Sequence, residues 1–386
     1  MSDYFMNTYH RLPVTFTHGG GTYLFDGNGK RYLDFTSGIG VNCLGHAYPA
    51  LVQAVSEQTA KCIHVSNYFQ SAVTERFAQK LVEACSGAGM KRVFLGNSGA
   101  EANECAFKIA RKYSLKKYGS GRYTIVTLRG SFHGRTITTL SATGQDRFHE
   151  EFGPFTEGFT YVPAGDIPAL DRALDNTVAG LLIEAVQGEN GVHLQDQAYI
   201  EAAARFCTER DILLMFDEIQ CGVGRTGSFL ACEGFGTVKP DVVTLAKALS
   251  GGIPAGAALA GERAADTLTI GDHGSTFGGN LLAAAAGLVV LETVNNAAFL
   301  REITRKGEKI RESIRSWNKP NIRDIRGKGL MIGIDITQDA WDVLEKALEK
   351  GLLLLAAGAK TLRFLPPYTI RDEEIESGLQ ILQEIV

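Results

Sequence analysis

Two apolar runs between residues 212 and 251 constrain this chain more than any other feature of it. The first reads ILLMFDEIQCGVGRTG from Ile212, the second PDVVTLAKALSGG from Pro240. Each is a short β-rich run that stops at a charged residue: Asp217 in the first, and Lys247 just beyond the second. Runs that are apolar on every residue, not on alternate ones, suit strands of a parallel sheet covered on both faces. Ligands in such sheets lie beyond the carboxyl ends of the strands, which is where both charges fall. A lysine held out of water gives up its proton easily and becomes a nucleophile. A carboxylate at a neighbouring strand end holds a cationic ring nitrogen in its protonated form. The pair suits a pyridoxal phosphate site. Taken singly, a lysine after a strand is usually a snorkelling surface residue, and an aspartate there a cap or turn former. Phosphate and substrate ligands therefore have to come from elsewhere in the chain.

Residues 91–113, KRVFLGNSGAEANECAFKIARKY, offer the first of these. A short strand at 93–95 runs into Gly-Asn-Ser-Gly-Ala, and a helix is predicted from about Glu101. Free N–H groups at that helix start, with the Ser98 hydroxyl, make a phosphate cradle; an ordinary cap by Asn97 or Ser98 is the plainer alternative. No GKS or GKT closes the loop, so it is not a P-loop. After a strand at 124–128, RGSFHGRT sends Phe132 and Arg135 off the sheet together, a flat aromatic face beside a carboxylate-binding fork. Packing and surface charge would explain each alone. A strand at 180–186 ends in EAVQGENGV, which carries Glu184 and Glu189. GDHGSTFGGN, from Gly271, is a glycine-rich loop bearing Ser275 and Thr276.

Alternating strands and helices from about 90 to 260 predict an α/β doubly wound sheet. Ahead of it, 22–26 and 31–35 flank a Gly-Asn-Gly turn and read as a hairpin. Residues 36–49 are loop-like, Pro49 opens a helix, and a further amphipathic helix covers residues 73–82. A long Ala-rich helix begins at about Leu281. From about Ile322 the pattern changes to strands (328–336, 352–355, 362–365) and helices (340–350, 372–385), a smaller α+β domain with Arg363 in one of its strands.

A net charge of −4 in 386 residues gives no electrostatic reason to expect nucleic acid or an anionic membrane as partner. The N-terminus lacks the basic and apolar regions of a signal peptide, and the apolar stretch 281–291 is too short to span a bilayer. Seven cysteines without CxxC spacing argue against a disulfide framework or a zinc site, and for a reduced, cytoplasmic setting. No GxGxxG follows a strand with an acid about 20 residues on, which disfavours a dinucleotide-binding dehydrogenase.

The segments LDFTSGIGVNCLGH, NSGAEANE, SFHGRT, EAVQGE, FDEIQCGVGRTG, LAKALSGG, STFGGN, RGKGLMIG and LRFLPP follow one another from about residue 20 to the C-terminus. In that order the chain resembles the class III aminotransferases of the fold type I pyridoxal phosphate superfamily. The GVNCLGH and FHGRT segments and the compact length most resemble the acetylornithine aminotransferases; ornithine aminotransferases typically carry tryptophan where His133 stands. The resemblance implies a large doubly wound, mostly parallel-sheet domain plus a smaller α+β domain. Its expected bounds are an N-terminal segment at 1–45, a cofactor-binding domain at 46–280, and a linker helix with the small domain at 281–386. It implies Lys247 as the Schiff-base lysine and proton shuttle, Asp217 on the ring nitrogen and Gln220 on the phenolic oxygen. Phe132 and Ile219 would sandwich the ring, and Ser98, Gly99 and Ala100 would hold the phosphate. Ser275 and Thr276 would complete the site across a homodimer, Thr276 reaching the partner's phosphate. Arg135 and Arg363 would divide the substrate carboxylates, with Glu189 covering Arg363 until 2-oxoglutarate displaces it. The implied reaction moves the δ-amino group of N2-acetyl-L-ornithine to 2-oxoglutarate, a step of arginine biosynthesis, with no metal. Ornithine, succinylornithine and 4-aminobutyrate as donors, an aminomutase-type isomerase and a non-catalytic cofactor-binding relative are the alternatives. The family's proline and glycine are replaced by Ala185 and Asn190, which puts the loop around Glu189 in question.

Overall fold

Seven strands form the central sheet of the computed structural model, which describes residues 4–386; the first three residues of the expected 1–45 segment lie outside it. Their order across the sheet is Met90–Gly96, Gly256–Gly261, Val242–Leu245, Leu213–Asp217, Val178–Glu184, Thr124–Leu128, Phe159–Val162. All pairings are parallel except those of Gly256–Gly261, which runs against both neighbours. The continuous apolar runs have the cause inferred from sequence. Leu181, Ile183, Leu214, Phe216, Val243 and Leu245 enter one buried cluster, while the alternate residues Leu182, Leu213, Met215 and Val242 enter a second on the other face. Helix Gly99–Tyr118 covers the second face with Cys105, Phe107 and Ile109. Helices Ala72–Ala84, Gln197–Glu209 and Leu281–Val294 contribute to the first.

A second, four-stranded antiparallel sheet is built from Ile322–Lys328, Met331–Ile336, Thr361–Phe364 and Leu355–Ala356. Helices Ala340–Glu349 and Asp372–Ile385 belong to the same part of the chain. Here the sequence reading needs correction: 328–336 is not one strand but the turn and second arm of a hairpin. Gly329 makes the turn at φ +54, and a Cβ there would meet the Arg225 carbonyl oxygen at 2.6 Å. The first arm, IRDIRGK, escaped notice because its charges pair with one another, Arg326 with Asp324 and Asp335 at 2.7 and 2.8 Å. The hairpin Tyr23–Asp26/Arg31–Asp34 forms as expected and gains a strand on either side: Phe16–Gly20, and Leu352–Leu353 running parallel to Arg31–Asp34. The chain's N-terminal sheet is thus closed by a strand from its C-terminal part.

Among the described residues no single helix is long and apolar enough to cross a membrane; Leu281–Val294 and Ala297–Ser316 pass only as a pair bent by 77°. All seven cysteines are free, and every one but Cys62 is buried.

Candidate active site

Register places three polar residues side by side at the carboxyl edge of the central sheet: Glu184 opposite Asp217, and Asp217 opposite Thr244. Asp217 is buried and its carboxylate is held from three sides. Oδ2 accepts from His133 Nδ1 and Asn103 Nδ2, both at 2.8 Å, and Oδ1 from the Ile219 backbone N–H at 3.0 Å. Asn103 is fixed in turn, donating to the His133 carbonyl and accepting from Thr244 Oγ1, each at 2.8 Å. A carboxylate offers about four lone-pair sites. Three are filled here, so Asp217 retains room for one more donor, at Oδ1.

Lys247 follows two residues after strand Val242–Leu245, on a single 3-10 turn, with φ +47. That left-handed conformation is disfavoured for any residue with a Cβ, and it persists where surrounding structure enforces it. Its side chain enters a cavity of about 370 Å³. Removal from water there pulls the amine below the ordinary lysine pKa, against the opposing pull of Glu189 and Asp217. Glu184 is pushed the other way, to about 7, by burial; its oxygens accept from the Phe132 and Gly188 backbone N–H groups at 2.8 and 3.3 Å.

The cavity is also lined by Ser98, Gly99 and Ala100, at the start of the long helix Gly99–Tyr118. Ser98 is the cap, its hydroxyl accepting from the Glu101 N–H at 3.2 Å, while the first backbone N–H groups of any helix have no partner within it. A Cβ on Gly99 would lie 2.7 Å from Ile219 Cδ1, so glycine is what lets the Ile219 side chain close over the helix start. Phe132, Ile219 and Gln220 line the same cavity.

Glu189 sits on the turn between the short strands Val186–Gln187 and His193–Leu194, so Ala185 and Asn190 are accommodated in a hairpin that still aims the carboxylate inward. Arg363, in strand Thr361–Phe364 and almost wholly buried, donates from Nη1 to Glu189 Oε1 at 2.7 Å and to Gln220 Oε1 at 3.0 Å. Gln220 Nε2 donates back to Glu189 Oε1 at 3.2 Å. Burial works to raise the Glu189 pKa, but the Arg363 cation outweighs it and holds the carboxyl below its ordinary value.

Four expected site residues do not line the cavity: Arg363, which meets it only through Glu189 and Gln220, and three that stand apart. Arg135 is exposed, its guanidinium 4.2 Å from the centre of the Phe148 ring, and does not line the cavity. Thr276 is exposed, and Ser275 Oγ accepts from Asn97 Nδ2 at 3.0 Å. Neither borders the cavity within its own chain.

The family pattern described as Aminotransferase class-III matches residues 4–386. The chain belongs to that family. An acetylornithine aminotransferase from Caldanaerobacter subterraneus subsp. tengcongensis is 46% identical over 386 residues, 99% of this chain and 97% of that one. Among solved structures, the ornithine aminotransferase of Toxoplasma gondii ME49 is 34% identical, with a TM-score of 0.93 over 99% of this chain and 92% of that one. The N-acetylornithine aminotransferase of Stenotrophomonas maltophilia K279a is 37% identical, with a TM-score of 0.85 over 98% and 96%. The chain is accordingly a pyridoxal phosphate-dependent aminotransferase acting on small molecules. The residues present fit that cofactor: a buried acid with one free acceptor site, a lysine short of water, and a helix start with unpaired N–H groups and a glycine where a Cβ would collide.

Reasoning from sequence missed Asn103 and His133, the two side chains that fix Asp217. Asn103 lies in NSGAEANE four residues after Gly99, one helical turn inside the cradle, and His133 adjoins Phe132. Helical spacing was available as a signal for Asn103; nothing local marked His133 as facing a strand end.

Proposed function

We propose that this enzyme transfers the δ-amino group of N2-acetyl-L-ornithine to 2-oxoglutarate, giving N-acetyl-L-glutamate 5-semialdehyde and L-glutamate, a step of arginine biosynthesis in the cytoplasm. The observation that carries the reading is the covered arginine: Arg363 lies beside the cavity with Glu189 closed over it. A site that receives both a long amino donor and a dicarboxylate needs an anion-binding group that is open to one and shut to the other. The full-length likeness to acetylornithine aminotransferases supplies the donor.

When bound, pyridoxal phosphate supplies an electron sink that acidifies the C–H beside the transferred nitrogen. In this reading Asp217, oriented by His133 and Asn103, keeps the ring nitrogen protonated, and Gln220 donates to the phenolic oxygen. Phe132 and Ile219 would hold the ring, and Ser98, Gly99 and Ala100 would receive the phosphate; all five line the one cavity. Lys247 carries the cofactor between turnovers and its Nζ moves the proton as general base and then acid. Arg135 binds the carboxylate far from the reacting carbon, and Arg363 the one beside it in 2-oxoglutarate. Ser275 and Thr276, which do not line the cavity of their own chain, complete the site of a second copy, so the working unit is a homodimer. The division into an N-terminal segment, a cofactor domain to about residue 280 and a C-terminal domain serves that arrangement.

Ornithine is the second reading, favoured by the close superposition on the Toxoplasma gondii enzyme. An amino-donor panel with 2-oxoglutarate decides between them: acetylornithine should give the highest kcat/KM, and a preference for free ornithine or 4-aminobutyrate would replace the assignment. Mixing a Lys247→Ala subunit with a Thr276→Ala subunit tests the shared site. Hybrids should regain one site with both residues intact, and well-mixed hybrids without activity would refute sharing.

A further inference from the structure

The segment between Asp34 and His46 is a loop held shut at its base. Asp34 is fully buried at the end of strand Arg31–Asp34. Its Oδ1 accepts from the Thr36 N–H at 2.7 Å, the Thr36 hydroxyl at 2.6 Å and the Ser37 N–H at 3.1 Å. Its Oδ2 lies 2.8 Å from His46 Nε2, and since an ionised carboxylate only accepts, that ring nitrogen is the donor. His46 also exchanges backbone hydrogen bonds with Gly21, N to O at 2.7 Å and O from N at 2.9 Å. A Cβ on Gly19 would lie 2.7 Å from His46 Cβ, so the histidine is seated tightly on the N-terminal hairpin.

What the base holds is strained. Ser37, Gly38, Ile39 and Gly40 have φ of +47, +62, +66 and +77, four left-handed residues in succession, two of them with side chains. Such a turn survives only where its surroundings over-determine it. It delivers Val41 to the wall of the active-site cavity, and beyond it Cys43 Sγ lies 3.5 Å from the carbonyl of Ala248, the residue after Lys247. A Cβ on cavity-lining Gly252 would lie 2.9 Å from Asn42 Oδ1, so this segment packs closely on the cavity wall. The ligands proposed for the cofactor belong to the sheet edge and to the start of helix Gly99–Tyr118, none of which Asp34 or His46 touches with a hydrogen bond.

We infer that His46 is a positioning residue for substrate: through Asp34 it fixes the strained turn that sets Val41 in the cavity wall, and so governs substrate affinity without governing cofactor affinity. The inference rests on this cavity being where substrate binds, and is independent of which amino donor is preferred.

The test compares holoenzymes carrying His46→Phe, which keeps a ring but no N–H, and His46→Gln, whose amide N–H reaches about as far as Nε2. Loss of a hydrogen bond to a carboxylate, passed on to the turn, should raise KM for the amino donor and Kd for glutarate about tenfold in His46→Phe. Cofactor affinity should be unchanged, kcat should change by less than about twofold, and His46→Gln should recover most of the affinity. In a Val41→Ala background the His46→Phe effect should shrink, because the wall it positions is gone. Should His46→Phe not fold, His46→Asn, too short to reach Asp34, is read in the same way. Unchanged KM and glutarate affinity would overturn the inference, as would losses matched by equal losses of cofactor affinity and thermal stability. Glutarate binding needs no reaction, so a wild-type enzyme inert toward acetylornithine would remove the donor assignment and leave this test standing.

Discussion

Neutralising Glu189 should strengthen the binding of a dicarboxylate, the reverse of what removing a charged residue from a binding site usually does. Arg363 is 3% exposed and Glu189 27%, so the pair is closed to solvent on one side and open on the other. An ion pair with one partly exposed partner is worth about 1 kcal/mol. That closes Arg363 about five times in six and reduces its apparent affinity for any competing carboxylate about sixfold. If the burial of Arg363 brings the pair nearer 2 kcal/mol, the reduction is about thirtyfold. Glu189→Gln keeps an oxygen for Gln220 and Arg363 but removes the charge that competes. Glutarate, which has the carbon frame of 2-oxoglutarate without a reacting carbonyl, reports the change by calorimetry: its Kd should fall between about sixfold and thirtyfold. Single-turnover absorbance should then show α-amines gaining on δ-amines as donors, since their carboxylate now finds Arg363 open. Unchanged or weaker glutarate binding in Glu189→Gln would refute the idea that this pair is a cover, and would leave it as a structural contact.

Lys247→Ala should abolish transamination, and borohydride should no longer fix cofactor to the protein; cofactor found on another lysine of treated wild type would exclude Lys247 as the carrier. Asp217→Asn should weaken cofactor binding by roughly 1.5–3 kcal/mol and slow turnover by more. Because its new amide must face one of the donors His133, Asn103 or Ile219, it should also lower the apo-protein's unfolding midpoint in urea; near-normal turnover would remove Asp217 from the mechanism. Glu184, its pKa raised by burial from the ordinary glutamate value of 4.5 to about 7, favours the folded state most below about pH 4.5. That contribution is lost as pH rises through 7, because the unfolded chain ionises first. Replacing it by Gln should therefore flatten the fall in apo-protein stability between pH 5 and about 8 in urea titrations, and an identical pH slope in both proteins would show that Glu184 is ionised throughout.

How much of this was legible in the chain depends on whether a feature is written locally. Strand Leu213–Asp217, with its terminal acid, and the helix of NSGAEANE are written in consecutive residues; the structure has the strand where the run places it and starts the helix at Gly99, under the Ser98 cap, two residues ahead of the expected Glu101. Of hairpin Ile322–Lys328/Met331–Ile336 the sequence marks only a strand at 328–336, because the first arm satisfies its charges across the sheet, Arg326 with Asp335, and so lacks the apolar signature of a buried strand. Helix Ala297–Ser316 falls between the Ala-rich helix expected from Leu281 and the change of pattern expected at Ile322, and is assigned to neither. At the site, the residues proposed to face the cofactor occur in short motifs, whereas the residues that orient Asp217 do not. Asn103 and His133 meet Asp217 from 114 and 84 positions away, and only the register of parallel strands decides that Asp217, Glu184 and Thr244 share one edge. A one-residue slip of Leu213–Asp217 against its neighbours would turn the carboxylate to the opposite face. The two apolar clusters, filled by alternate residues of these strands, oppose such a slip by burying a different set of side chains on each face. The packing on both faces that makes these strands apolar at every position is therefore also what holds the acid within reach of the cavity.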